Sequence, residues 1–123
     1  MSFTSLRIVT DDLDGLVAFY EQVVGRPAER PAPVFAQFTG AGATLAIART
    51  STVAMLDGAV VPASNRSVLL EFEVADVDRA FAELAPRSED VVLPPSPMPW
   101  GNRSALVRDP DGNVVNLFSR PAG

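Results

Sequence analysis

The sequence predicts an α+β fold built from two tandem βαβββ modules, and three observations lead to that class. Its 123 residues suffice for one domain, and 47% hydrophobic with 20% charged residues is typical of a globular protein. Each half of the chain opens with a strand-like alternation that is followed by a helix-like pattern. The order of these elements then repeats, which indicates an internal duplication.

The first module is predicted at about residues 3–50 and begins with a half-buried strand at 5–10. A helix follows, in which Asp12 is the expected N-cap and Gly25 the residue that ends it. Its buried face is an apolar stripe at helical spacing, formed by Leu13, Leu16, Val17, Tyr20, Val23 and Val24.

The rest of the first half predicts shorter strands. The Pro-rich segment 26–33 indicates an irregular edge or a short strand, and segments 34–39 and 44–49 predict a hairpin. Residues 51–66 are expected to be a linker, in which one helical turn fits around 52–58.

The second module is predicted at about residues 67–120, with a strand at 67–74. Asp76 is the expected N-cap of the next helix, and Pro86 is the residue that ends it. The predicted buried face of this helix consists of Val77, Ala80, Phe81 and Leu84.

The chain after this helix predicts three more strands. Residues 91–93 indicate a short strand, and 94–102 indicate a Pro-rich loop before the last hairpin. The hairpin turn D-P-D-G-N is interpreted as structural, because Asp109 suits the first turn position, Pro110 the second and Gly112 the left-handed one.

The internal duplication is visible in the residues themselves. The DLD of residues 12–14 corresponds to the DVD of residues 76–78, and the hairpin glycine Gly42 corresponds to Gly112. We therefore expect one domain over residues 1–123 that is made of two homologous halves.

Composition excludes several kinds of chemistry. The chain has no Cys and no His, so disulfides, thiolates and imidazole ligands are excluded and any metal would need oxygen ligands. A net charge of −5 argues against nucleic acid and anionic membranes as partners. No apolar run reaches the roughly 20 residues of a membrane span, and the N-terminus lacks a signal pattern, so we expect a cytoplasmic protein.

Three segments resemble the vicinal oxygen chelate superfamily, which includes glyoxalase I, extradiol dioxygenases and bleomycin-resistance proteins. They are TDDLDGLVAFYEQVVG, FEVADVDRAFAEL and ALVRDPDGNVVNLF, and with the two hairpins they span nearly the whole chain. The resemblance implies that the paired modules form a curled mixed-sheet cup with its helices on the outer face. It also implies a homodimer.

Metal-dependent members of that superfamily carry ligands at four strand positions, where this sequence has Ser5, Ala46, Leu69 and Asn116. Alanine and leucine side chains carry no donor atom, and serine and asparagine are weak neutral ligands. Because ligand identity is the first requirement of a metal site, we expect no metal and no other cofactor.

Strand alternation within the implied cup predicts which side chains face inward. Trp100 and Arg103 are added through the pattern PWG.R..L.RDP.GN, which resembles bleomycin-resistance-type binding proteins, while the sequence leaves open whether these two side chains face the cup. The predicted ligand-binding residues are Ser5, Arg7, Ala46, Leu69, Glu71, Glu73, Trp100, Arg103, Asn116 and Phe118.

The favoured hypothesis is a metal-independent protein that binds a small hydrophobic or cationic molecule, for example an antibiotic that it sequesters. The alternative is an enzyme of the same superfamily in which Glu71 or Glu73 is the general base and Arg7 stabilises an oxyanion. A third hypothesis is a module that only dimerises or regulates a partner.

Some of these predicted ligand-binding residues also have a purely structural explanation. Arg7 and Glu71 could simply pair with each other, and Asn116 could hydrogen-bond a neighbouring backbone group. Trp100 could be a packing lid over a sheet edge.

Overall fold

The computed structural model describes residues 1–40 and 42–121, and the chain divides into two compact units, Met1–Ser64 and Asn65–Gly123. Each unit packs an α-helix on a four-stranded mixed sheet, which confirms the predicted α+β class and the tandem βαβββ order. The division falls inside the predicted linker. Within the described ranges, no helix is long and apolar enough to span a bilayer.

Unit 1 follows the order predicted for the first module. Its elements are β1 (Ser5–Thr10), α1 (Leu13–Val24), β2 (Glu29–Ala32), β3 (Phe35–Phe38), β4 (Thr44–Arg49) and a 3-10 segment (Thr50–Leu56). The strand order in the sheet is β1-β4-β3-β2, with β1 parallel to β4 and the other pairs antiparallel.

Unit 2 repeats this topology. Its elements are β5 (Leu69–Glu73), α2 (Val77–Leu84), a 3-10 turn (Ala85–Arg87), β6 (Asp90–Pro97), β7 (Arg103–Arg108) and β8 (Val114–Ser119). The strand order is β5-β8-β7-β6, with β5 parallel to β8 and the remaining pairs antiparallel. The two halves therefore share one topology, as the repeated motifs predict.

Both helices begin as their sequences predict, and α1 also ends at the predicted glycine, whereas α2 ends at Leu84 and a 3-10 turn continues through Pro86. The Asp12 carboxylate accepts a hydrogen bond from the Gly15 amide at 3.1 Å, and Asp76 accepts one from the Arg79 amide at 3.1 Å. Gly25 ends α1 in the left-handed conformation, with φ of 81°. Each carboxylate satisfies an amide that the helix itself leaves unpaired.

The core of unit 1 includes one residue that the apolar stripe did not predict. Leu13, Val17 and Tyr20 are fully buried, as expected, and Phe19 is also buried at 3% exposure. The rings of Phe19 and Tyr20 meet edge to face, with centroids 5.2 Å apart. A single helical stripe misses Phe19 because the buried face of α1 is wider than the stripe.

The predicted loop at residues 94–102 needs correction, because β6 continues through Pro94, Pro95 and Pro97. β6 is an edge strand of its sheet. Proline has no N–H to donate, and an edge strand tolerates it because the side that faces away from the sheet has no partner strand. Its pairing with β7 shifts register twice, between Val91 and Leu93 and again before Ser96. These prolines also protect the outer edge against pairing with another strand.

The D-P-D-G-N turn is a hydrogen-bonded brace around the buried Asp109. One carboxylate oxygen accepts from the Asp111 and Asn113 amides, both at 2.9 Å, and the other accepts from the Asn113 side chain at 2.8 Å. The Gly112 amide donates to the Asp109 carbonyl at 2.9 Å, and Gly112 has φ of 88°. This geometry confirms the structural interpretation of the motif.

Replacing Gly112 with alanine is expected to lower the free energy of unfolding by about 1–2 kcal/mol, because φ is left-handed there. A Cβ at this position would also collide with the Arg66 guanidinium. Urea unfolding measures the effect. The matched control is Gly42→Ala in the hairpin of unit 1, where an added Cβ meets no atom within 4 Å. Equal stabilities of the two variants would contradict the prediction.

Candidate functional site

Strand pairing in unit 2 assembles one polar face. In the parallel β5–β8 pair, Glu71 lies opposite Asn116, and Glu73 lies opposite Phe118. Residues paired in this way point to the same side of a sheet. The alternation of β5 and β8 thus places these four side chains, together with Leu69, on one face, as the sequence predicts.

A pocket of about 220 Å³ lies on this face. Four of its lining residues were predicted as ligand-binding, and three were not. The lining residues are Glu71, Trp100, Asn102, Ser104, Asn116, Phe118 and Arg120. The unpredicted ones are Asn102, Ser104 and Arg120.

Strand alternation in the sequence could have predicted two of the three missed residues, Ser104 and Arg120. Ser104 is paired with Phe118 across β7 and β8, so the alternation of the last hairpin places it on the pocket face. Arg120 follows Phe118 by two positions, which is the spacing of one strand face. Asn102 has no such signal, because it lies in the loop before β7.

Asn116 and Glu71 form the polar centre of the pocket. The Asn116 Nδ2 donates a hydrogen bond to a Glu71 carboxylate oxygen at 2.8 Å. Asn116 is 9% exposed, and its Oδ1 has no hydrogen-bond partner among the described residues. Asn116 therefore hydrogen-bonds a side chain and not the backbone group that the sequence suggested. Its Oδ1 is a buried acceptor that stays unsatisfied.

Arg120 lies beside this centre and is paired on both sides. Its Nε donates to the Glu73 carboxylate at 3.0 Å, and its guanidinium carbon lies 5.7 Å from the centroid of the Phe118 ring. The second distance is that of a cation–π contact. The exposed Glu73 thus forms an ion pair with Arg120, and Glu73 does not line the pocket.

Trp100 lies at the tip of a tight turn between β6 and β7. The Met98 amide donates to the Asn102 carbonyl at 2.7 Å, and the Gly101 amide donates to the Met98 carbonyl at 2.9 Å. Trp100 itself is 69% exposed, although it lines the pocket. An exposed indole on a short, hydrogen-bonded turn is presented to solvent at the pocket and does not act as a packing lid.

Arg103 lies on the opposite face of the sheet from the pocket, because it alternates with the pocket residue Ser104 in β7. Its Nε and one terminal nitrogen each donate to the Asp78 carboxylate of α2 at 2.7 Å. This hydrogen bonding lowers the pKa of Asp78 and raises the pKa of Arg103. Arg103 braces α2 on the sheet and is not part of this pocket.

The Asp78–Arg103 pair predicts an acid-sensitive contribution to stability. Because the pKa of Asp78 is lower in the folded state than its ordinary 3.8, the contribution is complete above that value and is lost as the pH falls through the folded pKa. We expect Asp78→Asn to be less stable than the natural chain at pH 7 and the difference to shrink below about pH 4. Urea midpoints measured across this range test it, and a difference independent of pH would contradict it.

The predicted site residues of unit 1 share a face of their own sheet. Arg7 is paired with Ala46 and Ser5 with Thr44, so these side chains point to one side. Ser5 and Arg7 are exposed, whereas Ala46 is buried. Arg7 and Glu71 belong to different units, and their pairing stays a prediction.

The four positions at which metal-dependent relatives hold ligands do not provide a donor set. Ala46 and Leu69 carry no donor atoms, and Ser5 and Asn116 offer only neutral oxygens, which are weak ligands. Across residues 1–40 and 42–121, no cluster of three or more His, Cys, Asp or Glu side chains could hold a metal ion. The residues present therefore do not fit the metal centre of the metal-dependent members of that superfamily.

Comparisons with known proteins agree with this architecture. The structure of a glyoxalase/bleomycin resistance protein/dioxygenase from Nocardioides is 29% identical, with a TM-score of 0.74 over 100% of this chain and 85% of that one. A glyoxalase-related enzyme from Fulvimarina pelagi is 20% identical, with a TM-score of 0.83 over 100% and 93% of the two chains, and shares the fold.

Sequence comparison adds one curated relative and a family model. The uncharacterized protein YraH of Bacillus subtilis is 24% identical over 96% of this chain and 98% of its own length. The family model of the Glyoxalase/Bleomycin resistance protein/Dioxygenase superfamily matches residues 2–117. A match over nearly the whole length, with the duplicated βαβββ topology, shows that the chain belongs to this superfamily.

Proposed function

We propose that the protein binds a small hydrophobic or cationic molecule without a metal and sequesters it unchanged, as an antibiotic-binding protein would. The observation that carries the proposal is the pocket of unit 2. Its rim holds the exposed Trp100, and its centre holds the Glu71–Asn116 pair, in which Asn116 occupies a position where metal-dependent relatives hold a ligand. The lining combines two aromatic rings, Trp100 and Phe118, with five polar or charged side chains, so it offers both stacking surfaces and hydrogen-bonding groups to a small molecule.

The aromatic residues support capture by stacking. Trp100 and Phe118 both line the pocket, and Trp100 is already exposed on a hydrogen-bonded turn. A ring that is positioned before binding loses little conformational freedom when a flat ligand stacks on it. Binding energy is therefore available without any covalent step.

The donor chemistry supports metal independence. Ala46 and Leu69 have no atoms with which to hold an ion. The acid–base alternative requires buried carboxylates, whereas Glu71 and Glu73 are both solvent-exposed. The binding function therefore uses the residues as they stand, and no further group is needed.

A titration of the chelator-treated protein tests the proposal. Trp100 is the one Trp of the chain, so its fluorescence reports on the pocket. Metal-free bleomycin and doxorubicin, which carries a planar ring system and a cationic amino sugar, are titrated in parallel, with calorimetry as a second readout. We expect binding at micromolar concentrations and recovery of each ligand unchanged by mass spectrometry.

Two outcomes would overturn this function. One is the absence of heat and fluorescence change with both antibiotics, and the other is binding that appears only after a divalent ion is restored. The variant Phe118→Leu is expected to weaken binding, because it removes a pocket ring. Phe3→Leu is the matched control, since Phe3 is an exposed aromatic that does not line this pocket.

The proposal includes a homodimer, which the superfamily resemblance implies. Light scattering coupled to size-exclusion chromatography is expected to give twice the chain mass of 13.1 kDa. A monomeric mass would remove the dimer from the proposal and leave the pocket of unit 2 unaffected, because all seven lining residues come from that unit.

A further inference from the structure

We infer that the pocket of unit 2 selects flat aromatic ligands that carry an amidinium or guanidinium group. The inference rests on the proposed binding function and adds the chemical class of the ligand. Three features of the pocket lead to it: its uncompensated charge, its unsatisfied acceptor and its size.

The uncompensated charge is negative. Glu71 and Arg120 are the two ionisable side chains in the lining. Arg120 is already neutralised by Glu73 at 3.0 Å, and Glu73 lies outside the pocket. Glu71 receives one hydrogen bond from the neutral Asn116 amide, and the described residues of unit 2 offer it no ion-pair partner. A cationic ligand is therefore favoured over a neutral or anionic one.

The unsatisfied acceptor adds a requirement for N–H donors. Asn116 is nine-tenths buried, and its Oδ1 has no partner among the described residues. This oxygen belongs to the same carboxamide whose nitrogen donates to Glu71. The Asn116 Oδ1 and the Glu71 carboxylate are therefore two acceptors linked by one carboxamide. Asn116 lines the pocket, so a donor group of a ligand placed there would satisfy this acceptor.

Two adjacent acceptors, one of them charged, match a planar cation with several N–H groups. An amidinium or guanidinium can donate to the carboxylate and to the amide oxygen together. A carboxamide brings donors without charge, and a carboxylate would bring a second negative charge. The polar centre thus distinguishes ligands that share one ring system.

The size of the pocket limits the ring system. Its volume of about 220 Å³ is below the roughly 300–1,000 Å³ of drug-sized sites. One flat system of one or two fused rings is suited to this space, with Trp100 and Phe118 as its apolar walls. A larger ligand would place only its flat cationic part here.

Calorimetry with three naphthalene probes tests the inference: 2-naphthamidine, 2-naphthamide and 2-naphthoate. All three offer the same rings, so stacking is constant and only the polar group changes. We expect the amidine to bind at least tenfold more tightly than the amide, and the carboxylate to bind most weakly. The substitution Glu71→Gln is expected to reduce the amidine-to-amide ratio to about one.

The matched control is Glu83→Gln, which makes the same charge change on α2, away from the pocket residues. It is expected to keep the full ratio. If the natural chain binds the amide as tightly as the amidine, or if Glu71→Gln keeps the ratio, the selectivity is overturned while the binding function stands. If none of the three probes binds while the antibiotics do, the inference fails and the proposed function stands; if the antibiotics also fail to bind, the proposed function fails with it.

Discussion

Replacing Asp109 with alanine is expected to lower the free energy of unfolding by about 3 kcal/mol, the upper end of the usual range for a point substitution, because it breaks a buried hydrogen-bond network. Asp109 is fully buried, and its carboxylate accepts three hydrogen bonds from Asp111 and Asn113. The substitution leaves these donors without their acceptor at the turn between β7 and β8. Equilibrium urea unfolding, followed by Trp100 fluorescence and circular dichroism, measures the loss.

The control for this prediction is Asp90→Ala, which removes the same charge from an exposed position of the same unit. We expect that variant to change stability by less than about 0.5 kcal/mol. Similar unfolding midpoints for the two variants would show that the turn brace contributes little, and the interpretation of the motif as a structural element would lose its energetic basis.

Replacing Trp100 with alanine is expected to weaken ligand binding about thirtyfold, or roughly 2 kcal/mol, which is typical of a tryptophan that contributes much of the binding energy. The side chain is 69% exposed in the free protein, so its removal costs the fold little. Loss of affinity and retention of stability are therefore expected in the same variant, and calorimetry and thermal unfolding measure the two separately.

A second substitution separates stacking from simple crowding. Trp100→Phe keeps an aromatic face and is expected to retain part of the affinity, whereas alanine retains none of the stacking. An alanine variant that binds as tightly as the natural chain would remove Trp100 from the site. The pocket would then depend on Phe118 and its polar centre alone.

Local patterns were enough to predict most of the fold. Asp12 and Asp76 cap their helices because a carboxylate at that position satisfies nearby amides, an interaction that spans three residues. β6 was predicted too short, since proline argues against a strand unless the strand lies at an edge. Its edge position depends on sheet order, which residues 90–97 do not encode by themselves.

The candidate site was predicted in part. Glu71, Asn116 and Phe118 follow strand alternation, and they line the pocket. Arg103 is also a predicted ligand-binding residue, yet its side chain lies on the face opposite the pocket and pairs with Asp78. Its side was open in the sequence because it lies directly after an irregular loop, and the register of β7 against β8 decided it.

The sequence by itself determined the duplicated βαβββ order, the helix caps, the D-P-D-G-N turn and the absence of donor atoms at Ala46 and Leu69. These features depend on residue identity and on neighbours a few positions apart. Only the tertiary structure decided that Asn116 binds Glu71 and that Arg120 is held by Glu73. Those pairs join strands that are distant in the chain, and their contact depends on which strands pair and in which register.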